Sequence, residues 1–199
     1  MRRALGKPHF HVIGIDDGAF RRGDRWAPVA AVLLAVPARV EAVRVGRVPI
    51  DGTGAARRLG DLIRELPGHE SARAVLLDGA VVGGFNVVDL DALRHDTGLP
   101  VVAVTARRPD FAAIRHALRT WFPRDATRRF RALSAHRLYA LPGPSGAVFV
   151  AAVGCTRFDA AALVRRATVE GHVPEPIRLA HLVASAVGSE RLAKRTVKV

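Results

Sequence analysis

The sequence predicts an α/β fold built on one mixed β-sheet, in which an antiparallel β-meander is followed by βα units. Three strand-like segments separated by short turns open the chain. From residue 55 onward, amphipathic helices alternate with short apolar strands, which is typical of crossover units. The chain has 199 residues, of which 49% are hydrophobic. We therefore expect one domain over residues 1–199, completed by a C-terminal hairpin and helices.

The meander is predicted from three segments with different patterns. Residues 10–16 form an apolar strand that ends in acid, and residues 27–36 are a continuous apolar run. Such a run is typical of a strand that is covered on both faces. Residues 38–48 alternate valine with charged residues and glycine, which indicates a half-exposed strand. Short turns between these segments favour antiparallel pairing.

Helices and strands then alternate along the chain. Residues 55–66 carry leucine and isoleucine at helical spacing before a Pro-Gly stop. The later predicted elements are a strand at 73–78, helices at 87–94, 109–121, 123–134, 158–169 and 175–186, a strand at 100–105, and a hairpin of 136–141 with 147–153. Asn86 is placed to cap the helix at 87–94. The residues after about 135 fit an appendage on the sheet as well as a part of it.

Composition excludes several classes of protein. There are 31 Lys and Arg against 18 Asp and Glu, a formal charge of +13, which favours nucleic acid as partner unless it reflects compositional bias alone. The single cysteine, Cys155, excludes a disulfide framework. No run approaches the ~18 apolar residues of a membrane span, and the N-terminus lacks a signal-peptide core, so we expect a cytoplasmic protein. Walker A, GxGxxG and GxSxG motifs are absent.

Aspartates follow three of the predicted strands. Asp16 and Asp17 end the first strand, Asp51 follows the third, and Asp78 ends the strand at 73–78. If the first and fourth strands are neighbours, Asp16 and Asp78 lie side by side, where repulsion favours a divalent cation between them. Asp51 would complete the cluster. We expect Asp16 to be the ligand and Asp17 the turn residue, although strand register could reverse this pair. Ordinary Asp-Gly turn chemistry is the alternative for each site.

The segment after Asp78 is rich in glycine. Gly83 and Gly84 permit close approach of the backbone to a ligand, and Phe85 and Asn86 follow them. Phe85 could stack on a base or sugar, or pack in the core. The histidines indicate less, and His181, in an apolar helix, fits a packed and hydrogen-bonded histidine.

Basic residues cluster beside aromatic residues or strand ends. Arg107 and Arg108 follow the strand at 100–105, on the same edge as the acids if the strands are parallel. Two further clusters are Arg21, Arg22 and Arg25 around Trp26, and Arg124, Arg128, Arg129 and Arg131 around Phe130. Arginine beside aromatic rings is typical of a nucleic-acid groove. A solvated face produced by arginine-rich composition is the alternative, and for the cluster at Phe130 the two interpretations are equal.

Four segments together resemble a known family. The strings HVIGIDDGAF, LLDGAVVGGFNVVD, TGLPVVAVTARRPD and PEPIRLAHLVASA are similar to the archaeal endonuclease V-like family termed endonuclease dU. This resemblance implies an RNase H-like fold, related to that of endonuclease V. It also implies hydrolysis of a phosphodiester bond in DNA that contains deaminated bases, deoxyuridine first, with Mg²⁺ or Mn²⁺ held by carboxylates. DNA is the implied partner, with RNA as an alternative.

The resemblance assigns roles to the aspartates. Asp16 matches the first-strand catalytic aspartate, Asp78 matches the aspartate of the fourth strand, and Asp51 lies where endonuclease V has a glutamate. The chain departs from endonuclease V in the shorter Asp51 side chain, the absence of an aromatic wedge before it, and a loop after Asp78 without histidine. A uracil base would then be read by residues 83–86, through Phe85 and Asn86. The rival hypothesis is a nucleic-acid-binding protein that keeps the fold without catalysis.

Overall fold

The computed structural model of the chain describes residues 9–21, 23–143 and 146–196. Its strands are β1 His11–Asp17, β2 Trp26–Ala35, β3 Arg39–Pro49, β4 Ala72–Asp78, β5 Val81–Val82, β6 Asn86–Val87, β7 Val101–Thr105, β8 Tyr139–Gly143 and β9 Gly146–Val153. Its helices are α1 Ala55–Arg64, a 3₁₀ helix His69–Ser71, α2 Leu90–Thr97, α3 Phe111–Trp121, α4 Ala126–Leu133, α5 Arg157–Ala167 and α6 Glu175–Thr196. None of the helices in these ranges is both long enough and apolar enough to cross a bilayer.

Seven strands form one mixed sheet in the order β3-β2-β1-β4-β7-β9-β8. β1, β2 and β3 make the predicted antiparallel meander, whereas β1 pairs with β4, and β4 with β7, in parallel. The predicted mixed α/β sheet is therefore confirmed. The carboxyl ends of β1, β4 and β7 meet at one edge, which we call the carboxyl edge. The amino ends of the same three strands lie at the opposite edge.

The C-terminal hairpin belongs to this sheet. β9 pairs antiparallel with β7, from Val101 opposite Val153 to Thr105 opposite Phe149, and β8 lies outside β9. The interpretation of the residues after about 135 as an appendage is therefore wrong. The buried valines and alanines of β9 supply the physical reason, since they cover the outer side of the buried β7 strand.

Helices cover both faces of the sheet, and the core is divided accordingly. On one face, Ile13 and Ile15 of β1 pack with Leu59 and Ile63 of α1. On the other face, Val12 of β1 belongs to a cluster formed with residues of α5 and α6. β2 is buried from its second residue to its last, as its apolar run predicts, because helices lie on both sides of it.

Helix α6 lies directly against β1 because two glycines leave room for it. A Cβ at Gly14 would lie 2.2 Å from the backbone of Pro176, and one at Gly18 would lie 2.1 Å from the carbonyl oxygen of Ala184. Both distances are far below normal contact, so any larger residue would force the helix away. This close packing brings the second turn of α6 to the carboxyl edge.

Two local predictions differ from the structure. Helix α2 begins at Leu90 and is capped by Asp89, whose carboxylate accepts the Ala92 N–H, so the prediction of Asn86 as cap is wrong. Asn86 instead lies in the short β5–β6 ladder, since its side-chain amide donates to the Pro49 carbonyl at 3.0 Å. The spacing of Phe111, Ile114, Leu118 and Trp121 also predicts one apolar face for helix α3, but this face ends early because Trp121 is 69% exposed.

Candidate active site

Two aspartates from neighbouring parallel strands meet at the carboxyl edge. Ile15 is paired with Leu77, so the next residues along β1 and β4, Asp16 and Asp78, leave the sheet side by side. Asp16 is only 5% exposed, whereas Asp78 reaches solvent. This is the juxtaposition that the strand-end pattern predicts, and it exists because the crossover through α1 places β4 next to β1.

The electrostatics of this pair favour a cation. Burial, together with the nearby charges of Asp78 and Asp17, raises the pKa of Asp16 to about 7. Burial, followed by the charge of Asp17, also raises the pKa of the Asp78 carboxyl. Within the described residues, neither Asp16 nor Asp78 forms an ion pair with an arginine or lysine. Close carboxylates without an arginine or lysine partner are stabilised in their charged forms by a bound divalent cation.

His181 is the third side chain of the site. Its Nδ1 lies 2.8 Å from Oδ2 of Asp16, and the other oxygen of Asp16 accepts the backbone N–H of Asp17 at 2.8 Å. The imidazole is 58% exposed, and its charge lowers the pKa of both Asp16 and Asp78. His181 fits the expected hydrogen-bonded histidine, but the sequence did not identify it as a site residue. It therefore orients Asp16 while one side of the imidazole faces solvent.

Asp17 and Asp51 have a different role from Asp16 and Asp78, because both hold the glycine-rich loop. Asp17 Oδ2 accepts the Gly83 N–H at 2.9 Å, and Asp51 Oδ1 accepts the Phe85 N–H at 2.8 Å. The Asp51 N–H donates in turn to the Gly83 carbonyl. Asp51 adopts a left-handed backbone with φ of 53°, which directs its carboxylate to the loop. Asp17 is thus anchored as a loop-holding residue, as expected of the turn member of its pair.

Gly84 and Asn86 also belong to the glycine-rich loop. A Cβ at Gly84, which has φ of +80°, would lie 2.4 Å from Asp51 Oδ1, so only glycine fits there. Asn86 is fully buried, and its Oδ1 has no hydrogen-bond partner. The expectation that Asn86 contacts a base directly does not fit this burial. Phe85 packs instead at the surface of the loop, 5.7 Å from the ring of Phe122.

Arg129 connects the two loops to helix α4. Its guanidinium donates to the carbonyls of Asp51 at 2.9 Å, Gly52 at 2.9 Å and Phe85 at 2.5 Å, and its Nε donates to Asp125 at 2.9 Å. The side chain is 7% exposed. The sequence placed Arg129 in a solvent-facing basic cluster. The only signal for its structural role was the acid four residues earlier, which is the spacing of an intrahelical pair.

The predicted basic residues are distributed differently. Arg107 and Arg108 lie exposed just past β7, at the same edge as Asp78, as expected from the parallel pairing. Arg22 lies outside the described residues. The Trp26 ring is contacted by Arg47 and Arg58, each 5.0 Å from its centroid, and of the predicted arginines that the structure describes, neither Arg21 nor Arg25 stacks on it. This difference arises because β3 lies beside β2 and α1 packs over β3.

The donor set fits a hard divalent cation. Asp16 and Asp78 offer carboxylate oxygens, which Mg²⁺ and Mn²⁺ prefer. In the described residues, no group of three or more His, Cys, Asp or Glu side chains is arranged to enclose a metal ion. A metal at this edge would therefore rest on few protein ligands and complete its shell with water and a phosphate oxygen, which is usual for Mg²⁺.

Comparison with known proteins agrees with this arrangement. The endonuclease dU family model matches residues 8–188, which include every element described above through the second half of α6. The chain belongs to the endonuclease dU family. A relative from Thermococcus gammatolerans, a UPF0215 protein, is 39% identical and covers 91% of this chain and 93% of its own length. A UPF0215 protein from Pyrococcus furiosus is 36% identical over the same shares.

Solved structures place the endonuclease dU chain in the RNase H-like fold. A protein of unknown function from Archaeoglobus fulgidus aligns with a TM-score of 0.80 at 30% identity, over 89% of this chain and 98% of its own. Human endonuclease V aligns with a TM-score of 0.58 at 18% identity, over 97% and 90%. Endonuclease V of Ciona intestinalis, in complex with DNA containing inosine, gives 0.59 at 16%, over 94% and 87%. At these identities the endonuclease V structures establish the fold, which confirms the prediction.

Proposed function

We propose that this protein is a metal-dependent endonuclease that hydrolyses a phosphodiester bond in DNA containing deaminated bases, with deoxyuridine as the lesion. The observation that carries the proposal is the pairing of Asp16 with Asp78 at the carboxyl edge, without an arginine or lysine partner among the described residues. Membership of the endonuclease dU family supports the same reaction. The DNA bound to the Ciona endonuclease V structure supports DNA as the substrate.

Asp16 and Asp78 would hold Mg²⁺ or Mn²⁺, with Asp51 contributing through a water molecule. When bound, the cation supplies a Lewis acid that activates water and stabilises the leaving oxygen. His181 keeps Oδ2 of Asp16 in a fixed orientation, and Asp17 keeps Gly83 in place beside the pair. Arg107 and Arg108, exposed at the same edge, would bind the DNA backbone through its phosphates.

A cavity lined by Gly79, the residue that follows Asp78, would receive the extruded base. It has a volume of about 260 Å³ and is lined by Gly79, Phe85, Thr105, Phe111 and His136, among other mainly apolar residues. This is below the ~300–1,000 Å³ of pockets for larger ligands, which favours a single flat ring. Phe85 could stack on the base, while the Thr105 hydroxyl and the His136 imidazole offer polar contacts. The cavity replaces buried Asn86 as the proposed base-reading element.

The test is a nicking assay on a duplex with one deoxyuridine, in the presence of Mg²⁺ or Mn²⁺. We expect Asp16→Asn and Asp78→Asn each to lower the nicking rate by roughly 10³-fold or more, since metal catalysis contributes several kcal/mol. Glu70→Gln is the matched control, because Glu70 is an exposed acid before β4 at the opposite edge. Its rate should equal that of the wild type.

Three results would contradict the proposal. Nicking by either aspartate variant at the wild-type rate would exclude this pair as the site. Nicking that survives removal of divalent metal by a chelator would exclude the metal. Salt-sensitive binding of DNA without any cleavage would favour the rival, a non-catalytic nucleic-acid-binding protein. Parallel duplexes with thymine or hypoxanthine in place of uracil test the lesion, and equal rates on uracil and thymine would exclude recognition of deamination.

A further inference from the structure

Helices α3 and α4 enclose a basic groove that the proposed active site does not use. The groove has a volume of about 350 Å³. This arginine groove is lined by Arg115, Arg119, Thr127, Phe130, Arg131 and Ser134, together with Ala126. Its lining contains no acidic side chain. The charged side chains that line the groove are therefore all positive.

The arginines of the groove are not neutralised within the protein. Arg115 and Arg119 are four residues apart on α3, a spacing at which like charges destabilise a helix. In the described part of the chain, neither Arg119 nor Arg131 has a carboxylate partner. The nearest acid in sequence, Asp125, is already occupied by Arg128 and Arg129. The repulsion between these arginines is not offset by an acid within the described residues. This indicates an anionic partner outside the protein.

The groove is held in a defined shape. The guanidinium of Arg115 lies 4.3 Å from the Phe130 ring centroid, and Phe111 contacts the same ring edge-on at 6.2 Å. These contacts restrict Arg115 to the groove wall. Through Arg129 the whole helix α4 is also fastened to the carbonyls of Asp51 and Phe85, next to the active site. The arginine groove and the carboxyl edge therefore belong to one rigid unit.

We propose that the arginine groove binds the phosphodiester backbone of the DNA flanking the lesion, outside the reacting phosphate. This inference rests on the proposed function for its substrate, and extends it to a second contact site. Guanidinium groups pair with phosphate oxygens in a bidentate manner, and the hydroxyl of Thr127 adds a further donor. Contacts of this kind fix the register of the duplex without reading its sequence.

The test measures binding of the uracil duplex by the cleavage-deficient Asp16→Asn protein, so that binding is separated from chemistry. Arg119→Ala/Arg131→Ala is compared with Arg73→Ala/Arg157→Ala, which removes the same charge at the opposite edge. Each phosphate contact contributes about 0.9 to the salt slope. The groove variant should therefore lose about 1.8 from the slope and roughly 10- to 100-fold in affinity at ~0.1 M salt. The control variant should lose neither. Circular dichroism and thermal melting confirm that both variants fold.

Duplexes trimmed on one side of the uracil distinguish the flank from other anions. The effect of the groove variant should disappear when one particular arm is removed and persist when the other is removed. Equal affinity and slope for the groove and control variants would overturn the proposal. A loss that is the same on every trimmed duplex, together with competition by inorganic phosphate, would also overturn it, because it would indicate a site for a small anion. If nicking fails in all proteins while arm-dependent binding persists, the proposed reaction is wrong and the groove assignment stands.

Discussion

The acids at the two edges of the sheet are treated in opposite ways. At the edge formed by the amino ends of β1, β4 and β7, the Glu41 carboxylate lies 2.7 Å from the Arg39 guanidinium, and that of Asp96 lies 2.9 Å from the guanidinium of Arg64. At the carboxyl edge, Asp16 has an imidazole as its ion-pair partner, and Asp78 has none among the described residues. In a chain with 31 basic and 18 acidic residues, basic partners outnumber the acids, so pairing with arginine is the expected arrangement for an acid.

This contrast is the reason for proposing Asp16 and Asp78 as the functional acids. Exposed ion pairs such as Glu41–Arg39 contribute little to stability, about 0–1 kcal/mol, and need no further explanation. Two neighbouring carboxylates kept free of arginine cost stability in the metal-free protein, because burial and repulsion raise their pKa values. A fold retains such a cost where the charges have a ligand, which is typical of active sites.

The largest expected effect on stability concerns Arg129, the buried cation that fastens both loops of the carboxyl edge to α4. Arg129→Leu would leave the carbonyls of Asp51 and Phe85 without their donor, and it would leave the carboxylate of Asp125 with Arg128 alone. Breaking a buried ionic network in this way costs about 3–5 kcal/mol, to be measured by urea unfolding. Arg128→Leu is the matched control, since Arg128 is exposed and bonds the same Asp125. It should cost less than about 1 kcal/mol. An equal loss of stability in the two variants would contradict the proposal that Arg129 fastens the loops to α4.

A smaller effect is expected from replacing His181, which orients the Asp16 carboxylate. His181→Ala removes the 2.8 Å contact to Asp16 Oδ2. Loss of a group that orients a metal ligand typically costs about 10- to 100-fold in metal affinity or activity. The half-maximal Mg²⁺ concentration for nicking should therefore rise. His95→Ala, at an exposed position of α2, should leave it unchanged. A lower rate with an unchanged Mg²⁺ requirement would show that His181 does not act through the metal ligand.

The meander and the positions of Asp16 and Asp78 at strand ends could be predicted from the sequence because both follow from local patterns. A continuous apolar run, a period-two strand and acids at strand ends are written in consecutive residues. The pairing of β1 with β4 remained a condition at that level, because a crossover returns the chain to the same sheet without fixing which strand it joins. The hairpin was harder, because its pairing with β7 joins segments about 45 residues apart and depends on tertiary packing.

The roles of Arg129 and His181 could not be predicted, for a related reason. His181 contacts Asp16, which lies 165 residues earlier in the chain, and the contact requires α6 to pack against Gly14 of β1 and Gly18 just after it. Arg129 reaches carbonyl groups of Asp51 and Gly52, and a backbone carbonyl leaves no mark in the sequence. Asn86 illustrates the converse error, since a good capping residue lay in a short strand because Pro49 offered its carbonyl. Long-range contacts to the backbone override such local preferences.

The smallest expected effect concerns Glu175 at the start of α6. Unlike Asp16 and Asp78, this acid is paired with an arginine. Its hydrogen bonds to Arg178, at 2.6 and 2.7 Å, and the charge of that arginine lower the pKa of Glu175 below its usual 4.5. The pair therefore stabilises the folded state above about pH 4.5, and this contribution is lost as the pH falls through the lowered pKa. In urea unfolding, Glu175→Gln should be less stable than the wild type by about 0.2–0.5 kcal/mol at neutral pH and equal to it near pH 3. A difference that grows on acidification would contradict the assignment, whereas nicking at neutral pH should be the same in both proteins because Glu175 stands outside the carboxyl edge.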